Sequence, residues 1–521
     1  MSRKLLQSTA VTGGMTLVSR ITGLARDVVF AGLIGAGATA AADAFYTAFR
    51  IPNFLRRIFG EGALSQAFVP VFAEYRARAD VAETRAFVDQ LTGVLGVILF
   101  AVTLIGVIAA PIVVMVLAPG FLADPHKYDL TVQMLRIIFP YLLFVSLVAL
   151  AAGVLNTYGK FGAASFTPVL LNLSLIGAAL WLAPRMEEPV VGLAWGVFIA
   201  GVVQLLFQLP FLKRIGMLPR PRIGLRHAGV RKVGRLMLPA IFGVSVAQIN
   251  LLVNTFLASF LVTGSVSWLY YSDRLMEFPL GVFGIALATV ILPSLSRKHA
   301  RASTEDFSHL LDWALRWVVI VGMPASAALV VLAIPLLTTL FQYGKFGAHD
   351  VLMSAQALMA FAFGLLGFTL VKVLAPGFYA RQDTKTPVRV GTISVAANIV
   401  FSLVLVYPLK HVGLAAAVSL AAFINAGLLF RMLRHEQVYR PLPGWRIFLA
   451  QTIGATVLMA MLLVWGTWGA DAWFTATAVE RLTRLTFWIM AGLVVYGAGL
   501  VVLGVRPQHL RLKRTQHESE D

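Results

Sequence analysis

Apolar runs of about 20 residues follow one another along almost the whole chain, each long enough to cross a hydrocarbon layer roughly 30 Å thick as a helix. Short stretches of polar, Gly or Pro residues end each run. The pattern predicts helices near residues 8–36, 41–68, 88–117, 131–156, 163–183, 190–212, 234–262 and 267–296, then 307–333, 351–379, 387–407, 411–433, 446–468 and 480–504. Because lipid leaves no partner for unsatisfied backbone groups, the expected fold class is an all-α polytopic membrane protein with about 14 transmembrane helices. No stretch remains for a sizeable soluble domain. The first residues carry Arg3 and Lys4 and run on to Arg20 and Arg26 without a cleavage site, which reads as a retained first helix rather than a signal peptide.

The chain also repeats itself at an offset of roughly 221 to 224 residues, too long for a solenoid and right for two six-helix halves. Arg50 matches Arg274; Phe54, Phe59 and Gly60 match Phe278, Phe283 and Gly284; Pro111 and Gly120 match Pro335 and Gly344. Val191-Gly192-Leu193-Ala194 matches Val412-Gly413-Leu414-Ala415. Six spans are an even number, so both halves enter the membrane in the same sense and form pseudo-twofold-related lobes about a central cavity. The expected division is an N-lobe over 1–215, a basic cytoplasmic linker over 216–233, a C-lobe over 234–435, two extra C-terminal helices over 446–505 and a cytoplasmic tail over 506–521. Trp465, Trp468, Trp473 and Trp488 cluster in the extra pair, where interfacial anchoring accounts for them.

Composition agrees with this picture: 59% of the 521 residues are hydrophobic and the mean hydropathy is +0.82. Cysteine is absent, which excludes disulfides and thiolate chemistry. A formal charge of +19 raises the question of nucleic acid, but the charges sit mostly in short loops. Alternate loops hold roughly 28 and roughly 6 Lys and Arg, a bias that places both termini in the cytoplasm. The basic excess is therefore topology, and no nucleic-acid partner is expected. The densest cluster, residues 213–235, reads as a cytoplasmic linker held by this bias and by anionic membrane lipid.

Some charges lie inside the expected spans: Arg20, Arg26, Asp27, Asp43, Arg50, Arg56, Arg57, Glu61, Asp273, Arg274, Glu277 and Lys372. A central charge costs about 3 kcal/mol to insert, so seven lipid-facing basic groups would cost on the order of 20 kcal/mol, and they must face inward. Arg50, Asn53, Arg57 and Glu61 recur at spacings of three and four, which stacks them on one helical stripe with Arg56 beside it. Tyr270, Arg274, Glu277 and Gly281 repeat the device, and Pro52 and Pro279 mark places for a bend. Two readings stay open here. The groups pair internally, Arg57 with Glu61 and Arg274 with Glu277, or the excess of basic over acidic groups awaits an anion. Arginine forks grip phosphate oxygens, so Arg20, Arg26, Arg56, Arg57 and Arg274 suit a phosphate or pyrophosphate headgroup, with Asp27, Asp43, Arg50, Asn53, Glu61, Glu277 and Lys372 as gating or charge partners.

Asn250, Asn254, Asn398 and Asn425 fall in spans of the second half, where they bond between helices or line an ion site. No histidine lies deep in a span, and no Walker loop, HExxH or GxSxG arrangement occurs. Neither a cofactor, a metal nor a catalytic residue is expected.

Ser19-Arg20-Ile21-Thr22-Gly23-Leu24-Ala25-Arg26-Asp27, Asp43-Ala44-Phe45 and the block from Pro52-Asn53-Phe54-Leu55-Arg56-Arg57 through Glu61 to Ala63 carry a closer identification. With Ser65-Gln66-Ala67-Phe68-Val69-Pro70, residues 270–279 and the run Ala375-Pro376-Gly377 to Asp383, they resemble the MurJ (MviN) family of lipid II flippases over almost the full length. That family belongs to the multidrug/oligosaccharidyl-lipid/polysaccharide exporter superfamily. The resemblance implies two six-helix lobes in a V, lipid II (the undecaprenyl-pyrophosphate-linked peptidoglycan precursor) as substrate, and a groove for its polyprenyl tail at spans 13 and 14. It implies a cationic cavity at Arg20, Arg26, Arg56 and Arg274, with Asp43 and Glu277 as acidic partners.

The function that follows is alternating access from the cytoplasmic to the periplasmic leaflet of the bacterial inner membrane, serving cell-wall synthesis and cell shape. Cell-wall synthesis machinery is the further partner to consider. A pyrophosphate with about two negative charges gains roughly 4.6 kcal/mol moving outward across 100 mV, so the membrane potential could drive export, with a coupled ion as the other source. The rivals are export of another lipid-linked oligosaccharide or a drug by the same fold, a membrane enzyme acting on the same lipid, and a scaffold. Asp43 is the only embedded candidate near the outer face for the enzyme, and a scaffold gives the charged cavity no purpose.

Overall fold

The computed structural model describes residues 3–37, 39–300 and 304–505, and within helices the side chains of 3–11, 59–61, 282–290 and some others lie outside the described set, Glu61 among them. The expected tail, 506–521, lies outside the described residues as well. Eighteen α-helices and no strand are found among the described residues.

Two compact units emerge, one within Met1–Ser267 plus Tyr343–Phe346, the other within Trp268–Gln342 plus Gly347–Asp521. The first holds α1 (Arg3–Ile34), α2 (Ala40–Arg56), α3 (Ser65–Arg78), α4 (Val81–Ile108), α5 (Ala110–Leu117), α6 (Pro125–Ile138), α7 (Tyr141–Thr157), α8 (Phe161–Gly177), α9 (Pro189–Arg214) and α10 (Ala228–Ser259). The first turn of α11 (Ser265–Ala300) also belongs to the first unit; the second is built from the rest of α11, α12 (Thr304–Val331), α13 (Ala333–Phe341), α14 (Ala348–Tyr379), α15 (Lys385–His435), α16 (Trp445–Thr467), α17 (Asp471–Phe474) and α18 (Ala478–Val502).

Nine helical segments among the described residues are long and apolar enough to cross a membrane. α1, α2 and α11 carry most of the embedded charges. α15 contains two of the expected spans, joined at Lys410, whose φ of 51° breaks the helix. Pro52 and Pro279 each sit inside a helix that continues past them. The second span instead changes form at Arg57–Leu64, a π-helical segment leading into α3. The stripe expected from Arg50 to Glu61 enters this π segment at Arg57, and the Glu61 side chain lies outside the described residues.

In the first unit α1 packs on α8, α7 and α8 on α9, α2 on α6, and α10 on α3 and the π segment. In the second, α14 packs between α12 and α15, and α16 between α12 and α18. Close approach depends on small residues, as membrane helices gain little from apolar burial against lipid. A Cβ on Gly364 would meet Ser419 Oγ at 2.4 Å, and that hydroxyl donates to Ala360 O at 2.7 Å.

Two buried polar centres fasten the C-terminal helices to the second unit. Asp312 Oδ1 on α12 accepts from Tyr439 Oη, Leu442 N and Trp445 Nε1 at 2.8, 3.1 and 2.6 Å, while Oδ2 meets Arg316 Nε at 2.8 Å. Burial and this carboxylate push the Tyr439 hydroxyl well above the usual phenol range, so it stays a donor. At the other end Arg481 donates to the carbonyls of Trp473, Phe474, Thr338 and Gln342 at 2.8 to 3.3 Å. Trp473 is buried there, whereas Trp465 and Trp468 are exposed as interfacial residues would be.

Candidate functional site

The expected headgroup residues divide between the units: Arg20, Arg26, Arg56 and Arg57 stand in the first and Arg274 in the second.

Arg26 is buried on α1. Its Nε and Nη2 contact Asp27 Oδ1 at 3.0 and 2.7 Å, and Nη1 donates to Asn172 Oδ1 at 3.1 Å. Asn172, on α8, turns its amide nitrogen to Ser19 O and Thr22 Oγ1 at 3.0 and 3.2 Å. Asp27 and Asn172 thus hold the guanidinium in one orientation where α1 crosses α8. Asn172 is missed by charge counting; its only signal is an amide in the middle of an apolar run. Arg20, six residues earlier on α1, is half-buried and has no hydrogen-bond or ion-pair partner among the described residues.

Arg50 and Arg57 face α10. Arg50 Nη1 donates to Thr255 Oγ1 at 3.1 Å and Arg57 Nη1 to Gln248 Oε1 at 3.3 Å. Two turns up one helix match two turns down the other, so the second span lies antiparallel to α10 in this register. Gly62 continues the line, because a Cβ there would meet Val244 Cγ2 at 2.8 Å. The partner of Arg57 in the structure is therefore an amide; the alternative partner, Glu61, has its side chain outside the described residues. Arg56 Nε is held by Asn53 Oδ1 at 2.8 Å, three residues back on the same helix.

Asp43 is sealed inside the first unit. Oδ2 meets Lys127 Nζ at 2.9 Å and accepts from Gly264 N at 2.8 Å; Oδ1 accepts from Ser267 N and Oγ at 2.9 and 2.6 Å. The carboxylate thereby satisfies amides at the start of α11, a helix with no capping side chain of its own there, and acts as an N-cap supplied from α2. Lys127 also lies 4.3 Å from the centre of the Phe121 ring. It too escapes a search of the spans, because it stands on the first turn of α6, ahead of the expected span.

On α11, Arg274 Nη1 meets Glu277 Oε2 at 3.3 Å, and its guanidinium carbon lies 5.1 Å from the Tyr270 ring centre. The pair is half-exposed. Lys372 is exposed on α14. Asn398 is fully buried, and Asn250, Asn254 and Asn425 are half-buried. No group of three or more His, Cys, Asp or Glu able to hold a metal occurs among the described residues.

Residues 31–483 match the family described as lipid II flippase MurJ. A protein of Vibrio cholerae named "Probable lipid II flippase MurJ" is 49% identical over 517 residues, covering 98% of both chains. Another, from Burkholderia cenocepacia and named "Lipid II flippase MurJ", is 44% identical over 513 residues, 97% of this chain and 99% of its own. A solved structure titled "Lipid II flippase MurJ, inward closed conformation" superposes with a TM-score of 0.79 at 24% identity, over 95% of this chain and 98% of its own, a likeness of fold.

Proposed function

Since the chain belongs to the lipid II flippase MurJ family, we propose that it carries lipid II from the cytoplasmic to the outer leaflet of a bacterial membrane by alternating access. It is a multi-pass transporter serving peptidoglycan synthesis and not an enzyme. The rival, a different lipid-linked oligosaccharide, is not favoured by this membership.

One observation carries the assignment of the headgroup grip: Arg20 and Arg57 have no carboxylate partner among the described residues, although both stand on helices of a membrane protein. A guanidinium without a counter-charge is costly at such depth and is retained where an anion passes. The pyrophosphate supplies that anion, and its paired oxygens suit the planar fork. Arg26 already meets Asp27, so it joins the grip by exchanging a carboxylate for a phosphate oxygen, while Arg274 in the second unit meets Glu277. Asp43, buried with Lys127, contributes by position rather than by touching the lipid.

Both termini are assigned to the cytoplasm from the distribution of basic loops. The potential, negative inside, favours outward movement of the pyrophosphate. Enzymes that make the lipid inside and consume it outside are the partners this direction requires.

The test is the fraction of lipid-linked precursor open to an outer-face probe enzyme in cells depleted of the protein and rescued with wild type, Arg20→Ala or Arg57→Ala. Collapse on depletion, rescue by wild type and failure of normally inserted variants are expected. Unchanged accessibility on depletion, with precursor still made, would remove lipid II as the cargo.

A further inference from the structure

The stretch joining α9 to α10 is an ordered strap, and its chemistry points to a partner that the transport reading does not use. α9 ends in a Schellman-type turn: Gly216 takes a φ of 73°, Gly216 N donates to Lys213 O and Met217 N to Leu212 O, both at 3.0 Å, and Met217 is buried. Beyond it the chain runs along α4. The buried Asp89 accepts Arg220 N on its carboxylate at 2.7 Å and Arg222 N on its carbonyl at 3.1 Å. Contact is at backbone distance, because a Cβ on Gly93 would meet Arg222 O at 2.3 Å. His227 then closes the strap, accepting Gly229 N on Nδ1 at 3.1 Å and stacking on Phe87.

This anchoring uses backbone groups and leaves the side chains outward. Arg220, Arg222 and Arg226 are exposed, and so are Ile223, 74% accessible, and Leu225, 64% accessible. Residues 213–235 hold eight Lys and Arg and no Asp or Glu. Lys232 alone among them meets a carboxylate among the described residues, Glu74 at 2.5 Å. A strap that only connected two helices would need neither fixed backbone nor exposed isoleucine and leucine between arginines.

We propose that this strap is a docking surface for the anionic phospholipid face of the membrane, with Ile223 and Leu225 entering the headgroup and acyl boundary and Arg220, Arg222 and Arg226 meeting lipid phosphates. Apolar entry and basic attraction reinforce one another at such a surface. The strap lies between the ends of two long helices, which keeps it within reach of the leaflet. The inference is independent of which lipid the protein transports.

Because the chain has no cysteine, Ile223→Cys offers a single thiol for an environment-sensitive fluorophore in the full-length protein. The labelled protein is placed in nanodiscs of phosphatidylcholine alone or mixed with phosphatidylglycerol. In the anionic discs the emission shifts to the blue, doxyl-labelled lipid quenches it severalfold more than aqueous iodide does, and high salt reverses both. The same probe beside Arg220→Gln, Arg222→Gln and Arg226→Gln, which leaves the Asp89 backbone bonds available, stays accessible to iodide. Thr384→Cys, exposed in another inter-helix loop, serves as the reference. A probe at 223 that iodide quenches equally in both discs, or one quenched by lipid regardless of charge, would overturn the proposal.

Discussion

Lys127 Nζ stands 2.9 Å from Asp43 Oδ2, with both side chains at least nine-tenths buried. A buried pair of this kind resists removal of one partner more than removal of both, because a lone charge keeps its desolvation cost. Lys127→Met is expected to destabilise the protein by about 3 to 5 kcal/mol, and Asp43→Asn added to it restores part of that loss. Unfolding of the purified protein in detergent measures both; equal losses in the single and double variants would show that the pair is not the coupled unit.

Arg57 tests the fork against the charge. Arg57→Lys keeps a cation beside Gln248 but cannot present two parallel donors. Transport into the outer leaflet is expected to slow roughly tenfold to thirtyfold, the equivalent of about 1.4 to 2 kcal/mol. A rate equal to wild type would mean that a point charge suffices.

Asp383, in the loop before α15, gives a pH dependence with a defined sign. Hydrogen bonds from the Thr386 side chain and amide hold its carboxyl below the usual carboxylate range. A lowered folded-state pKa contributes stability that is present above the unfolded value, about 3.9, and is lost as pH falls through the folded value. Amide exchange at the first turn of α15 should therefore accelerate below that pH in wild type. In Asp383→Asn the acceleration should be absent; its persistence would assign the effect to another group.

Arg481 joins α18 to carbonyls on α13 and around α17. Truncation leaves several of these acceptors without a donor, so Arg481→Ala is expected to cost about 3 kcal/mol and to expose α18 to exchange before α12 or α14. Arg481→Lys, with a single ammonium, should fall between. Uniform exchange across all three helices would place the contribution of Arg481 elsewhere.

The apolar periodicity located the helices by itself, since a chain in lipid must satisfy its backbone within each span. Even the break inside α15 was legible, from the polar interruption between residues 407 and 411. The resemblance carried by Arg20, Arg26, Asp43 and the block around Arg56 was likewise visible without coordinates, and the family match agrees with it. Partners were another matter. Asp43 ends on Lys127 and Ser267, Arg26 on Asn172 and Arg57 on Gln248, each separated from its partner by more than 80 residues apart from Asp27 beside Arg26. Helical spacing ranks neighbours along one helix; it carries no information on which face of a distant helix arrives opposite. The π turn after Arg56 adds a local shift of register that no side-chain pattern announces. Which charges are neutralised inside the protein, and which meet no carboxylate among the described residues, was therefore decided by packing alone.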